Sequence, residues 1–474
     1  MPLPELIEIV PLSEPVAAAI TIPGSKSITN RALILAALAD GKVTLEGALW
    51  SEDTQAMIEC LQKLGFEISV TPDPSETSNR RITVTGLGGE IPKGGTEAQP
   101  LELFVQNAGT AARFLTAFLC LGKGVYRLRG IERMHERPQA ELFAALRELG
   151  YRLDSETDRL PVTIHGVGPL PGECRVSIEK SSQFASALLL GARQGEWRVE
   201  IDEYTDEGVD TAAGSNSPYV AMTRKLIETF PNGGGPFRIE PDASSGSYFQ
   251  LASWIINCLP GSGLAQVFQS AKTATAGDGV SDEAKRLAAS RARLKTSVSG
   301  WPTTDWQIDA RFKDFRLYGL KTDIHEISRH TDLGDSILTA MVMAPFASHP
   351  IRFTHLGRLR LQECERVLAM RAELSKCGAE VVEYGDTLVV EPSAQRLHGA
   401  EIETYNDHRI GMCFATLGLC VPGIRIRNPA CVRKTFPNFF QKLAAAPPEG
   451  LGVSILDATN EPAGKLDHES LLAD

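Results

Sequence analysis

Residues 25–41 read SKSITNRALILAALADG, a short polar cluster that runs directly into an apolar stretch of helical length. The pattern recurs as NAGTAARFLTAFLCLG (107–122), SSQFASALLLGA (181–192), DASSGSYFQLASWI (242–255), DSILTAMVMAPFA (335–347) and NDHRIGMCFATLGL (406–419). Ser, Asn and Asp side chains can cap the free N–H groups at a helix start, so each cluster is predicted to lie at a helix N-terminus. Apolar residues on nearly every face predict that the six helices are buried. Such N-termini, facing a common cleft, would favour anions.

A second recurring pattern places a glycine at the end of three further helical stretches. The segments are LQKLGFEI (61–68), LRELGYRL (146–153) and LSKCGAEV (374–381), in which Gly65, Gly150 and Gly378 precede alternating residues. Glycine suits the left-handed residue that ends a helix, and the alternation suits a half-buried strand. We interpret the repeats as α/β units, and their uneven spacing favours duplication within domains over an open solenoid.

Length and composition indicate an intracellular enzyme with two domains. The chain has 474 residues, more than one core usually supports. Its net charge of −11 argues against nucleic acid or an anionic membrane as the main partner. Nine cysteines without a C-x-x-C pair predict a reducing cytoplasm and no structural zinc. The N-terminal residues lack a signal-peptide pattern, and no apolar run reaches the ~18 residues of a membrane span.

Two segments depart from the α/β pattern. Residues 260–310 contain PGSG, TATAGDG and a run rich in Ala, Arg and Lys, which predicts an exposed loop with a surface helix. Residues 446–474 are polar and acidic with weak periodicity. Both segments are expected to be peripheral additions.

The motif PGSKSITNR (23–31) predicts an anion site. Lys26 and Ser27 would stand at a helix entrance, with Arg31 about one turn further in. A lysine, a hydroxyl and a guanidinium at a helix N-terminus can hold a phosphate or a carboxylate. The spacing of a Walker loop is absent. A capped helix with solvated cations is the alternative interpretation.

Several motifs in a fixed order carry a family resemblance. They are PGSKS-x-x-NRA (23–32), NAGTA-x-R (107–113), SSQF (181–184), DASS-x-SYF (242–249), YNDHR (405–409) and KTFP (434–437). Together with Arg137, Asp335 and the stretch from Arg360 to Arg366, they resemble the enolpyruvyl transferases. The resemblance extends from about residue 23 to 440, apart from residues 260–310.

The resemblance implies a fold. It is a two-domain inside-out α/β barrel, in which each domain contains three βαβαββ units with buried helices. Residues 1–20 would join residues 241–474 in one domain, and residues 21–240 would form the other. The active site would lie in the interdomain cleft.

The resemblance also implies an activity. The motifs are most similar to those of the family members that transfer the enolpyruvyl group of phosphoenolpyruvate to the 5-hydroxyl of shikimate 3-phosphate and release phosphate. No metal and no organic cofactor is expected. The expected partners are these two small molecules, not nucleic acid or a membrane, and the protein is expected to be a cytoplasmic monomer.

The family's functional residues match positions in this chain one by one. The expected phosphoenolpyruvate ligands are Lys26, Gly109, Arg137, Gln183, Arg366, Arg409 and Lys434. The expected shikimate 3-phosphate ligands are Lys26, Ser27, Arg31, Ser181, Ser182, Gln183, Asn216, Tyr219, Asp335, Arg358 and Gln362. The resemblance implies that Asp335, with Lys26 beside it, takes the proton of the attacking hydroxyl. It implies that Glu363 exchanges a proton at the methylene carbon and that His408 orients or relays.

Four positions depart from the family pattern. Arg358 stands where the family has Asn, and Gln362 stands where it has Lys, so the net charge of the pocket is preserved. Asn216 replaces a usual Ser. These three changes fall among the expected ligands of shikimate 3-phosphate, which is the acceptor of the enolpyruvyl group (the acceptor side). Phe114 replaces a common Pro near the expected ligands of phosphoenolpyruvate, which is the enolpyruvyl donor (the donor side). This change predicts a shift of the helix that bears Gly109 and an altered sensitivity to glyphosate.

Alternatives stay open at this point. The chain could use another anionic alcohol as acceptor, or it could be a catalytically silent paralogue that binds a metabolite. Asp335 could only cap its helix. Glu363 and Arg366 could be an ordinary surface pair, and His408 could form a structural pair with Asp407.

Overall fold

The computed structural model describes residues 3–205, 208–210, 217–258, 296–315, 324–460 and 462–473. The helices are α1 Lys26–Leu38, α2 Glu52–Lys63, α3 Gly109–Cys120, α4 Glu132–Glu136, α5 Ala140–Glu148, α6 Gln183–Gly195, α7 Pro218–Thr229, α8 Ala243–Cys258, α9 Ile337–Met343, α10 Arg366–Lys376, α11 His408–Leu417 and α12 Phe439–Ala444. The strands are β1 Leu6–Ile9, β2 Ala18–Ile20, β3 Asp40–Leu49, β4 Ile68–Pro72, β5 Asn79–Leu87, β6 Leu101–Phe104, β7 Lys123–Arg129, β8 Arg152–Asp154, β9 Val162–Val167, β10 Gly172–Ser177, β11 Trp197–Thr205, β12 Gly208–Asp210, β13 Gly235–Arg238, β14 Thr296–Val298, β15 Glu326–Ser328, β16 Ile351–Thr354, β17 Val381–Tyr384, β18 Thr387–Val390, β19 Glu401–Ile402, β20 Ile424–Arg427, β21 Ile455–Asp457 and β22 Gly464–Lys465.

The same strand pattern recurs in four of the sheets. The orders are β13-β3-β5-β4, β6-β7-β9-β8, β15-β16-β18-β17 and β19-β20-β1-β21, the last of which continues to β22. In each, the first two strands are parallel and the next two pairings are antiparallel. Two sheets borrow strands from distant parts of the chain, since β13 completes the first and β1 completes the fourth. The repeat predicted from the sequence is therefore visible in the strand pairings.

The six predicted helix starts are confirmed, because α1, α3, α6, α8, α9 and α11 begin within two residues of their polar clusters. Each is buried along most of its described length. The capping prediction is confirmed for Asp407, which accepts from Arg409 N, and for Asp242, which accepts from Ser245 N at 3.1 Å. It is wrong for Ser25, whose side chain makes no capping hydrogen bond, and for Ser336, whose hydroxyl donates to Asp309 Oδ1 at 2.5 Å.

The glycine-terminated helices are also as predicted. Gly65, Gly150 and Gly378 have φ values of +96°, +93° and +86°, which side chains with a Cβ rarely adopt. The strands β4, β8 and β17 begin two or three residues later.

Within the described ranges, buried apolar side chains form two separate cores. The N-terminal core takes its members from Ile28 to Ile239. The C-terminal core combines residues from Leu3 to Ile22 with residues from Tyr248 to Ala473. The chain therefore passes between the two cores near residues 22–28 and again near residues 239–248.

The prediction that residues 446–474 are peripheral is wrong. β21 pairs with β1, and Leu451, Val453 and Ile455 are almost fully buried in the C-terminal core. Leu471 and Ala473 are buried as well.

The structure describes only the second part of the predicted insertion at residues 260–310. Residues 259–295 lie outside the described residues. The remainder is not an exposed loop, because β14 pairs in parallel with β2 and Ile308 is 8% exposed. In addition, the Gln307 side chain accepts from Ala243 N at 3.0 Å, at the start of α8. Within the described ranges, no helix is long and apolar enough to span a membrane.

Candidate active site

A narrow polar cavity lies between the two cores, where α1, α3 and α6 begin. The predicted site residues that line it are Lys26, Ser27, Arg31, Gly109, Arg137, Ser181, Ser182, Gln183, Tyr219, Asp335, Arg358, Gln362, Glu363 and Arg409. Arg366 and Lys434 are buried directly behind the lining, and Asn216 lies outside the described residues.

Lys26, at the first position of α1, is part of a buried ion cluster. Its Nζ lies 3.0 Å from Asp53, which is 2% exposed and also accepts from Lys434 Nζ at 2.8 Å. Burial raises the pKa of Asp53, but Lys26 and Lys434 outweigh it and hold this pKa below its usual value. Lys434 further donates to Asn107 O at 2.9 Å, so one carboxylate ties together cations from both cores.

Arg31 is held in place almost entirely by the protein. It is 1% exposed and donates to Ser27 O at 2.8 Å and to Thr223 Oγ1 at 2.7 Å. Burial lowers its pKa to about 10. Its guanidinium lies 5.1 Å from the centre of the Phe114 ring, a cation–π distance. Phe114 thus supports a predicted acceptor-side cation.

Asp335 lies among three arginines. Its Oδ1 accepts from Arg329 at 2.8 Å, and its Oδ2 lies 3.1 Å from Arg409 and 3.9 Å from Arg366. Burial raises the pKa of Asp335, but these arginines outweigh it and hold the pKa well below its usual range. Because its side chain faces the cavity and these arginines, Asp335 does more than cap a helix.

Glu363 and Arg366 form a buried pair, so the surface-pair interpretation is wrong. Their side chains are 8% and 1% exposed, and Arg366 Nη2 lies 2.8 Å from Glu363 Oε2. Burial raises the pKa of Glu363, but Arg366, Arg137, Lys434 and Lys26 together hold it well below its usual value. In the ligand-free protein Glu363 is therefore ionised.

Gly109, at the start of α3, allows a close approach by Arg137. A Cβ added to Gly109 would lie 2.6 Å from Arg137 Nη2, so a side chain at this position would have to displace the guanidinium. Arg137 donates to Asn107 O at 3.1 Å and is 5% exposed. Gln183 is fixed nearby, since its Oε1 accepts from Arg113 Nη1 at 2.7 Å. The backbone and three polar side chains thus converge on one end of the cavity.

The substituted positions on the acceptor side have defined partners. Arg358 Nε donates to Glu179 O at 3.0 Å, which brings its guanidinium next to the segment that carries Ser181 and Ser182. Gln362 Oε1 accepts from Arg366 Nη1. The amide of Gln362 is therefore bonded to Arg366, which is a predicted phosphoenolpyruvate ligand.

His408 is fully buried and does not line the cavity. Neither of its ring nitrogens has a hydrogen-bond partner among the described residues. Burial, assisted by Arg409, lowers its pKa well below the usual value, so the imidazole is neutral. Its Nδ1 lies 3.6 Å from Asp407, too far for a hydrogen bond.

Sequence reasoning missed two cavity residues, Asp53 and Arg329. Asp53 follows Ser51, whose N–H donates to Thr54 Oγ1 at the start of α2, and this SEDT cluster was a usable signal. Arg329 lies in the loop after β15 and had no local signal. Arg113, which belongs to the NAGTA-x-R motif, and Lys180, which directly precedes SSQF, also line the cavity.

Asp407 is expected to be the main structural anchor of the donor-side arginines. It is fully buried and accepts from Arg366 Nε at 2.7 Å and from Arg409 N at 2.9 Å. Asp407→Asn should lower the free energy of unfolding by about 3 kcal/mol, because it leaves a buried arginine without its nearest counter-charge. Urea denaturation at pH 7 measures this change.

The matched control is Glu401→Gln. Glu401 pairs with Arg427, and both side chains are 45% exposed. Loss of such a surface pair should change the free energy of unfolding by less than about 1 kcal/mol. Equal small effects of the two substitutions would contradict an anchoring role for Asp407.

Sequence comparison places the chain among known proteins. The family model of EPSP synthase (3-phosphoshikimate 1-carboxyvinyltransferase) matches residues 10–443. A 3-phosphoshikimate 1-carboxyvinyltransferase from Trichormus variabilis is 35% identical over 461 residues, which cover 92% of this chain and 98% of that protein. The enzyme of the same name from Opitutus terrae is 35% identical over 476 residues, with 94% and 98% covered.

Solved structures show the same fold. An EPSP synthase from Acinetobacter baumannii superposes with a TM-score of 0.62 at 20% identity, and the match covers 95% of this chain and 99% of that one. The enolpyruvyl transferase NikO from Streptomyces tendae gives a TM-score of 0.58 at 14% identity, with 98% and 100% covered. The predicted α/β class is thereby confirmed.

Proposed function

Because the chain belongs to the EPSP synthase family, we propose that it transfers the enolpyruvyl group of phosphoenolpyruvate to the 5-hydroxyl of shikimate 3-phosphate and releases phosphate. The observation that carries the proposal is the cavity itself, which places two carboxylates, Asp335 and Glu363, among many cations. Both substrates carry a phosphate and a carboxylate, and buried cations are suited to bind them. The carboxylates supply the proton transfers that the reaction needs.

The donor end of the cavity is assigned to phosphoenolpyruvate. Lys26, Arg137, Gln183 and Arg409 line it, the Gly109 backbone adjoins it, and Arg366 and Lys434 lie directly behind. An anion with two charged groups would draw these cations away from Glu363. The pKa of Glu363 would then rise, because its depression comes from Arg366, Arg137, Lys434 and Lys26.

The acceptor end is assigned to shikimate 3-phosphate. Ser27, Arg31, Ser181, Ser182, Tyr219, Arg358 and Gln362 belong to this part, and Asn216 is assigned to it by resemblance alone. Asp335 lies at the boundary between the two ends, within reach of Arg409 on one side and Arg329 on the other. It is therefore suited to accept the proton of a hydroxyl that attacks the donor.

The proposed reaction has two stages. Glu363 gives a proton to the methylene carbon of phosphoenolpyruvate, the 5-hydroxyl adds to the central carbon, and Asp335 takes the hydroxyl proton. The resulting tetrahedral adduct then expels phosphate, and Asp335 releases its proton to the departing phosphate. Glu363 recovers a proton from the new methyl group, which restores the double bond in the product. Lys26 stabilises charge beside both carboxylates, and His408, neutral and buried behind the site, is assigned an orienting role.

The architecture that goes with this activity is a two-domain inside-out α/β barrel with three βαβαββ units in each domain. The two separate cores and the recurring strand order support it. Residues 1–20 with 241–474 are assigned to one domain and residues 21–240 to the other. We further propose that the protein is a cytoplasmic monomer.

The test combines purified protein with phosphoenolpyruvate and shikimate 3-phosphate. Inorganic phosphate release is followed, and the carbon product is identified by mass spectrometry. Equal amounts of phosphate and the enolpyruvyl ether are expected. Release of phosphate without formation of the ether would refute the assignment. The absence of any reaction, at all concentrations of the two substrates, would refute it as well.

A second candidate function is enolpyruvyl transfer to a different anionic alcohol. It is favoured by the hydrogen bond from Arg366 to Gln362, because this bond occupies the Gln362 side-chain oxygen that would otherwise be available to a ligand at the acceptor end. The same assay with other phosphorylated alcohols tests it. A catalytically silent paralogue is disfavoured, because Lys26, Asp335, Glu363 and Lys434 all lie at or directly behind one cavity.

A further inference from the structure

Arg329 is a cavity-lining cation with no part in the assignments of either substrate. It follows β15 directly, and its side chain is 8% exposed. Its Nη2 donates to Asp335 Oδ1 at 2.8 Å, whereas its Nε is buried without a hydrogen-bond partner among the described residues. A buried N–H group of a guanidinium is costly to leave unpaired. A ligand in the cavity would satisfy it.

The geometry at Asp335 places Arg329 at the acceptor end. The donor-side arginines Arg409 and Arg366 face Oδ2, at 3.1 and 3.9 Å, whereas Arg329 faces Oδ1. Tyr219 packs nearby, since a Cβ added to Gly334 would lie 2.8 Å from its hydroxyl oxygen. Arg329 and Tyr219 thus flank the backbone that leads into Asp335.

Hydrogen bonds fix the conformation of the loop that carries Arg329. Ser328 N donates to Asp332 Oδ2 at 2.8 Å, and Arg311 Nη1 donates to Thr331 O at 2.7 Å from outside the cavity. Arg329 N also donates to Thr354 O at 3.1 Å. A cation presented by such a turn is positioned before a ligand arrives, which lowers the entropic cost of binding.

We propose that Arg329 is a specificity-determining residue that binds the negatively charged group of the acceptor alcohol while it holds Asp335 against the hydroxyl that is deprotonated. The proposal rests on the proposed function. Arg329 supplies a positive charge at the acceptor end of the cavity that Gln362 does not supply, because Gln362 is neutral and its side chain is bonded to Arg366. A guanidinium has five N–H donors in a planar fork and can bind a carboxylate and a second anion together.

Calorimetric titration of the full-length protein with shikimate 3-phosphate alone tests the proposal without turnover. Arg329→Met should weaken this binding by about 10- to 100-fold, as expected for the loss of a charged hydrogen bond. Arg329→Lys should recover part of the loss, because it restores the charge without the fork. In steady-state assays, the KM for phosphoenolpyruvate should change less than about twofold, whereas the KM for shikimate 3-phosphate rises.

Arg311→Met is the matched control, since Arg311 supports the same loop from an exposed position. Its binding constant for shikimate 3-phosphate should stay near that of the unmodified protein. An equal loss in Arg311→Met and Arg329→Met would assign the effect to the loop and overturn the proposal, as would unchanged binding in Arg329→Met. Unmodified protein that binds shikimate 3-phosphate without turnover refutes the proposed function alone. Absence of this binding contradicts both.

Discussion

Asp335→Asn is expected to lower kcat by about 10²- to 10⁴-fold, the usual contribution of a positioned general base. The carboxylate is ionised throughout the neutral range, because three arginines hold its pKa well below the usual value. Asparagine has nearly the same shape and can still accept a hydrogen bond from Arg329, so substrate binding should change much less than kcat. Steady-state kinetics with both substrates varied at pH 7 separates the two effects.

The control for this substitution is Asp314→Asn, an exposed aspartate that does not line the cavity. It should leave kcat unchanged within about twofold, since exposed changes away from such features have small effects. A loss of binding for both substrates in Asp335→Asn, with kcat nearly intact, would show that the carboxylate only orders the three arginines. In that case another group must take the hydroxyl proton.

The parts of the fold predicted from the sequence depend on local patterns. The start of α1 after Ser25 and the end of α2 before Gly65 each follow from about ten neighbouring residues. The strand β21 has only three residues, too few to show a period, and its partner β1 lies at the other end of the chain. Its position in the C-terminal core is therefore a property of the assembled sheet.

The site was predictable where a motif carries it. Lys26, Gly109, Gln183 and Arg409 lie in short stretches with a family resemblance, and all line the cavity. Asp53 gains its importance from Lys434, which is 381 positions away, so only the folded chain brings them together.

The side-chain partners were the least predictable feature. Ser336 has the residue type and the position of a helix cap, but its hydroxyl is bonded to Asp309. Asp309 lies in the segment that was expected to be a peripheral insertion. Local propensity gives the available donors, and the packing of distant segments decides which acceptor each one meets.

Glu363→Gln should also reduce kcat by about 10²- to 10⁴-fold, but through a different proton. Glutamine is nearly isosteric and cannot give a proton to the methylene carbon. The substitution also removes one negative charge from a group of buried cations, so phosphoenolpyruvate should bind at least as well as before. The expected signature is therefore a large loss of kcat without a rise in the KM for phosphoenolpyruvate.

Deuterium incorporation shows whether Glu363→Gln removes the proton transfer to the methylene carbon. When the reaction is run in D₂O, reversible protonation of the methylene carbon by Glu363 places deuterium in the methylene group of recovered phosphoenolpyruvate and of the product. Glu363→Gln should abolish this incorporation, whereas Glu136→Gln, which alters an exposed carboxylate paired with Arg133, should leave it unchanged. If Glu363→Gln keeps the normal incorporation per turnover, the acid is another group. If incorporation and kcat fall together, the proposed division of the reaction is supported, with Asp335 acting on oxygen and Glu363 on carbon.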